Sequence, residues 1–306
     1  MITRDPQAFL ALARGVAPDF GPATARGAFM VAPDGFARAQ QSAQDNVYMS
    51  DAASYDAQRA SAQHRQLQRA LASELPVACL AGDPDTPDAL FPNNVFASAR
   101  VNGQARCIVA RMRHPVRQRE AGREDIRGFF RLLGHDIVDL SVQPHACELT
   151  GSLVIDRARG IGFCGLSERC DAEGARLMHA AFGLRATLVF DLAPGEYHAN
   201  VVLAVLAGRA ALVCPRGFAD AEVPEAIAAL YAPHGIVLST REHAAFAANA
   251  ISLAPDSVWM SQAAAASLAG ATRQRLQAAG FALRSVPLEA IEVAGGSLRC
   301  CVGELF

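Results

Sequence analysis

Five short stretches of this sequence carry side chains whose chemistry could act on a carbon bonded to nitrogen. Cys300 follows Gly295, Gly296, Ser297, Leu298 and Arg299 near the end of the chain. His198 and Asn200 lie two apart in "YHAN", and Glu148 opens "ELTGSLVIDR". Asn93 and Asn94 sit in "FPNNVF", and Asn249 closes "FAAN". A thiol with an imidazole is the pair used for thiolate attack, the histidine carrying the proton. A working thiolate needs a lowered pKa, which a nearby histidine or a bound cation supplies. A glutamate can fix the imidazole or hold a proton donor of the substrate. Carboxamides both donate and accept, which suits a planar group with N–H and C=O edges. Taken alone, each of these residues reads as core or turn material, since buried cysteine is ordinary. Only a shared place in the fold makes them a site.

The elements that must position them recur. "FPNNVFASA" and "ARCIVARM" read as two strands, followed by a helix towards Leu133 and the strand "HDIVDLSV". "ELTGSLVID" and "GIGFCGL" are then joined by a turn at Arg157–Arg159, with a helix over 171–182 and the strand "ATLVFDL". "HANVVLAVL" and "AALVCP" flank a turn at Ala207–Gly208, with a helix over 220–231 and "GIVLS". "FAANAISL" and "SVWMS" precede a helix over 262–279 and "FALRSVPL". Strand, strand, helix, strand thus repeats four times with a period of roughly 50 residues. A final strand, "SLRCCV", joins an opening strand "GAFMVA", a helix over 56–75 and the strand "PVACLA" to make a fifth copy. Five such α/β units would stack into a ring whose last member is split between the termini. Equivalent positions near each first strand would then meet on the axis. That brings Asn93 and Asn94, Glu148, His198 and Asn200, Asn249 and Cys300 into one pocket. The stretch "GDPDTPD" reads as a loop leading into it, and residues 33–54, without periodicity, as a cover over one mouth.

Composition narrows the function. The 306 residues are 51% hydrophobic, ample for a large core in a single catalytic domain spanning 1–306. A net charge of −2 without charge runs argues against nucleic acid or a membrane surface as partner. No stretch reaches the roughly 18 apolar residues of a membrane span, and "AFLALA" is too short for a secretory signal, so a cytoplasmic location is expected. All 28 basic residues are arginine, which excludes a Schiff-base lysine and a phosphate-loop lysine. The eight cysteines show no CxxC spacing. Cys79, Cys107, Cys164 and Cys214 read as core, and Cys147 as a neighbour of the pocket at most. The basic run 111–120 reads as a solvated helix start, with one arginine available for a substrate carboxylate.

Taken in order, these motifs resemble the pentein superfamily of guanidine-modifying enzymes, which includes arginine and agmatine deiminases, dimethylarginine dimethylaminohydrolase, succinylarginine dihydrolase and the amidinotransferases. The resemblance is greatest to the arginine-deiminase-related group that contains citrulline-utilisation hydrolases. It covers about residues 28–306. It implies a five-bladed α/β propeller of ββαβ repeats with pseudo-fivefold symmetry, closed by pairing of the N- and C-terminal segments. It implies that Cys300 is the nucleophile, His198 the general acid/base and Glu148 the residue that orients His198 or grips the substrate. Asn93, Asn94, Asn200 and Asn249 are the expected substrate-binding residues, and neither metal nor cofactor is called for. The implied reaction is hydrolysis of a C–N bond in a guanidino or ureido group of a small arginine- or citrulline-like molecule, through a covalent cysteine intermediate, with ammonia released.

Two departures bear on the substrate. Asn94 and Asn200 stand where deiminases of this superfamily carry aspartates, which leaves one glutamate to balance a buried cation. That favours a neutral ureido substrate, or a guanidine hydrolysed in two rounds. An amidinotransferase using the same residues and a catalytically inactive binding protein of the same fold are the alternatives. A homodimer is the candidate assembly.

Overall fold

The computed structural model describes residues 1–306. Its hairpins form where buried runs meet turn residues that tolerate a positive φ. Asn102 (φ 52°) and Gly103 (φ 81°) close the hairpin of Phe96–Val101 with Gln104–Val109, the pairing of conformations a two-residue turn requires. Ala207 and Gly208 do the same between Leu203–Leu206 and Ala210–Val213. In each case a helix follows and returns the chain to a third strand parallel to the second: Asp136–Asp139 in the first unit and Gly235–Val237 in the third. In the second unit, Leu153–Asp156 pairs with Ile161–Leu166, and Ala186–Asp191 lies parallel beyond it. The returning helix Ala172–Phe182 starts on Asp171, whose side chain accepts from the Gly174 N–H, and stops at left-handed Gly183.

The result is an α/β fold of five small sheets. No strand is shared between them, so they form no closed barrel. The fifth sheet unites distant parts of the chain, with Gly303–Leu305 antiparallel to Gly27–Val31 and Val77–Leu80 parallel on its far side. A Cβ on Gly303 would fall 1.9 Å from the Phe29 ring, so only glycine permits this pairing. The helix of that unit, Ala57–Leu71, buries Ala60, His64, Leu67 and Leu71 along one stripe. A segment not anticipated from sequence, Ile2–Thr3, adds a fourth strand beside Ala186–Asp191. The helix after it, Pro6–Arg14, packs on Glu222–Leu230.

The structure corrects the expected first strands. "FPNN" is a 3₁₀ turn (Pro92–Asn94), and "ELTGS" and "HANVV" hold one helical turn each, Leu149–Ser152 and Ala199–Val202. Residues 249–252 make only a bridge from Ile251 to Trp259. Cys300 and Cys301 lie in the 3₁₀ turn Leu298–Cys301, so the adjacent cysteines do not alternate across a strand. Strand geometry sends successive side chains to opposite faces, whereas a short helical turn spreads them about 100–120° apart, so that several can bond around the axis. At the start of each unit several buried polar groups must face the axis together.

Candidate active site

These turns are linked to one another by side chains. Asn249 Nδ2 donates to the Asn200 carbonyl at 3.0 Å, Asn200 Nδ2 donates to the Thr150 carbonyl at 3.1 Å, and Thr150 Oγ1 donates to the Asn93 carbonyl at 3.0 Å. Each bond runs from one unit to the backbone of the unit before it, which makes a girdle around the axis. The Cys300 N–H joins it by donating to Asn249 Oδ1 at 3.4 Å. All five residues are buried, and a buried amide left unpaired would be costly. The girdle therefore holds these segments in register with one another.

On one side of the girdle lies a cavity of about 270 Å³. Cys300 and Asn94 line it, with Asp88, Arg117, Arg169 and Tyr197. Cys300 is 1% exposed, and Asn249 Nδ2 donates to its Sγ at 3.3 Å. Burial raises the thiol's pKa; the bond from Asn249 and the charges of Arg299 and Arg117 act the other way without reversing it. The thiolate expected from sequence is thus a neutral thiol in the free protein. Nor does the sulfur bond to His198, whose Nδ1 is buried without a partner. Neither His198 nor Glu148 is among the residues that line the cavity; the imidazole meets Asn94 beside Gly151. A Cβ on Gly151 would sit 2.6 Å from Asn94 Oδ1 and 2.8 Å from His198 Nδ1, so glycine is what lets these two groups converge.

Behind the imidazole, His198 Nε2 lies 2.8 Å from Glu148 Oε2. The Arg113 N–H donates to Glu148 Oε1 at 3.0 Å, and Arg169 Nη1 is 3.5 Å from Oε2. Desolvation opposes ionisation of Glu148, but Arg169, His198 and Arg117 outweigh it and hold the carboxyl well below the usual range. His198 is shifted down because burial penalises its charged form more than Glu148 favours it. An ionised Glu148 only accepts, so Nε2 of the neutral ring carries the proton and Nδ1 presents a lone pair. The pair can therefore take up and return a proton at Nδ1.

Of the four asparagines expected at the substrate, only Asn94 lines this cavity. The structure places Asn249 against the sulfur. Asn200 lies in the girdle, with its Oδ1 3.9 Å from Cys300 Sγ. Asn93 is buried with neither side-chain atom hydrogen-bonded. Cys147 packs in the core. Sequence reasoning missed Asp88 and Arg169, and it left open which arginine of the run 111–120 would face a substrate; the one that lines the cavity is Arg117. Asp88 is 4% exposed; its Oδ2 accepts from Ser42 Oγ at 2.5 Å, and its Oδ1 has no partner. Arg117 forms a bidentate pair with Glu120 at 2.8 and 2.9 Å, which raises its pKa further. Arg169 Nη2 donates to Asp45 at 2.6 Å. Arg117 falls within the basic run read as solvated, yet its side chain is 2% exposed. The stretch 33–54 covers this mouth through Ser42, Asn46 and Met49.

The sequence matches the family N,N dimethylarginine dimethylhydrolase, eukaryotic, over residues 32–306. No curated protein sequence matches it. Among solved structures, one similar fold is the N-terminal domain of ArgZ bound to substrate, described as an arginine dihydrolase from the ornithine-ammonia cycle in cyanobacteria. Identity is 21% over 91% of this chain and 97% of that one, with a TM-score of 0.78. AgrE in binary complex with L-arginine is 21% identical over 92% of this chain and 40% of its own, with a TM-score of 0.78. A dimethylarginine dimethylaminohydrolase carrying an S-methyl-L-thiocitrulline adduct is 19% identical over 92% of this chain and all of its own, at 0.67.

Proposed function

Because the chain belongs to the N,N dimethylarginine dimethylhydrolase family, within the pentein superfamily, we propose that it is a cysteine hydrolase of C–N bonds in the guanidino or ureido group of an arginine-like amino acid. The observation that carries this is the composition of the 270 Å³ cavity, which sets a thiol and a carboxamide against two arginines and a carboxylate, Asp88, that has one oxygen free and no cation paired to it. Arg117 is balanced by Glu120, and Arg169 by Asp45 and Glu148. Asp88 is left to receive a cation, so the site is richer in negative charge than the single glutamate counted from sequence. An α-amino acid fits this arrangement, with its ammonium on Asp88 and its carboxylate on an arginine fork. The side-chain group then reaches Asn94 and Cys300. In this reading the sheets form the five blades of a propeller around the site. No helix is long and apolar enough to cross a membrane, and we place the reaction in the cytoplasm.

Chemistry starts when the substrate arrives, because the thiol of the free protein is neutral. The sulfur attacks the central carbon while its proton passes to His198 Nδ1, and where the substrate group is a guanidinium its charge also lowers the pKa of the thiol. The tetrahedral adduct expels ammonia, or an amine, which takes that proton from His198. Nδ1 then draws a proton from water as the oxygen adds to the carbon, and the C–S bond breaks to regenerate the thiol. With arginine, two rounds consume two waters and yield ornithine, two ammonia and carbon dioxide; with citrulline, one round suffices. A neutral Asn94 suits both, since it pairs equally with N–H and C=O edges. The test is release of ammonia and carbon dioxide from arginine and citrulline, and of dimethylamine from dimethylarginine. We expect release from at least one, abolished in Cys300→Ala. Turnover persisting in that variant would remove Cys300 from the reaction.

A further inference from the structure

Past the girdle, the inner strands run on away from the sulfur and enclose a second cavity of about 510 Å³, nearly twice the first. The two share no lining residue. Half of the second wall comes from the aliphatic residues 153–155, 203–205 and 250–251, while much of the surface open to the cavity is polar. Its charged groups are Arg157, Arg299 and Glu304. Arg299 is spent on Glu304, Nη2 to Oε2 at 2.8 Å, and on the Val302 carbonyl. Arg157 has no carboxylate. Its Nη1 donates to the Ser98 carbonyl at 3.2 Å, and its guanidinium lies 4.2 Å above the Phe306 ring and 5.2 Å from that of Phe182. Two cations and one anion leave the cavity with an uncompensated positive charge, and burial pushes the Arg157 guanidinium down to about 10. Ser252, 5% exposed, lines the same wall, and its Oγ has no partner.

A half-buried guanidinium that lacks a carboxylate and a buried hydroxyl that lacks any partner are both unfavourable, and one kind of ligand relieves both. The planar fork of Arg157 matches an oxyanion in bidentate fashion, and the serine supplies a further donor. We propose that this cavity is a binding site for a small oxyanion, a carboxylate or a phosphate, distinct from the catalytic cavity. Its occupant would lie against Asn200 and Arg299, the first within 3.9 Å of the Cys300 sulfur and the second its chain neighbour.

The experiment is calorimetric titration of the full chain with succinate and with inorganic phosphate, alongside thermal melting. Wild-type protein should bind one or both; which of them binds identifies the chemistry. Arg157→Gln keeps the hydrogen bond to Ser98 within reach and removes the charge, and should weaken binding at least tenfold. Because that variant also loses its stacking on Phe306, a second one is needed. Ala23→Glu sets a carboxylate into the wall of the cavity. It should raise the melting temperature and likewise weaken binding tenfold or more. Absence of binding to wild type would overturn the proposal. So would binding left intact in either variant, which would locate the anions on Arg117 and Arg169 of the catalytic cavity. Neither result depends on which reaction the thiol performs.

Discussion

At the scale of single residues, Gly151 does more for the site than any of the groups that meet there. It carries no chemistry, yet a methyl group at its place would press on both Asn94 and His198. Gly151→Ala should therefore leave a folded protein in which these two are pushed apart by several tenths of an ångström. A misplacement of about 1 Å can cost a hundredfold in rate, so kcat/KM should fall at least severalfold here. Steady-state kinetics beside a melting curve would check this, and unchanged kinetics would show that the convergence is not needed. Cys300, His198, Glu148 and Asn94 were legible in the sequence because each opens a repeat, so the period alone placed them near one axis. Asp88 and Arg169 were not, nor which arginine of the run 111–120 would line the cavity. These three side chains come from a loop, a helix start and a hairpin end, where nothing recurs from unit to unit and a charged side chain reads as solvated.

At the scale of elements, the period identified the hairpins and returning helices because the burial of each unit's faces repeats. It gave the wrong backbone for the catalytic segments, since a single helical turn of buried residues and the start of a buried strand look alike as a run of letters. The helix Ala57–Leu71 carries a different consequence. His64 on its inner face is 1% exposed, and burial pushes its pKa down to about 4 against an unfolded value near 6.5. The unfolded chain therefore binds the extra proton. Stability contributed by the neutral ring is fully present above about pH 6.5 and is lost as pH falls towards 4, by about 3 kcal/mol. Urea unfolding at pH 7.5, 6 and 4.5 should show this fall in wild type and a visibly flatter profile in His64→Leu. Equal slopes in the two proteins would assign the acid sensitivity elsewhere.

At the scale of the whole molecule, no unit owns the site. The sulfur, the imidazole, the carboxylate and the carboxamide come from four different units, and the girdle passes from one unit to the next through Asn249, Asn200 and Thr150. What lies across the mouth belongs to none of them. There Asp45 grips Arg169 at 2.6 Å and His114 at 2.9 Å, while the neighbouring Asn46 donates to the Gly295 carbonyl at 3.3 Å. Arg169 is also a guanidinium that an amino-acid carboxylate would seek. In the reaction we propose, Asp45 would act as an internal competitor, an acid of the same chain that contests the substrate's carboxylate for Arg169. Asp45→Asn, which keeps the shape and drops the charge, should lower KM in a turnover assay. A rise in KM would mean that this acid assists binding instead of rivalling it.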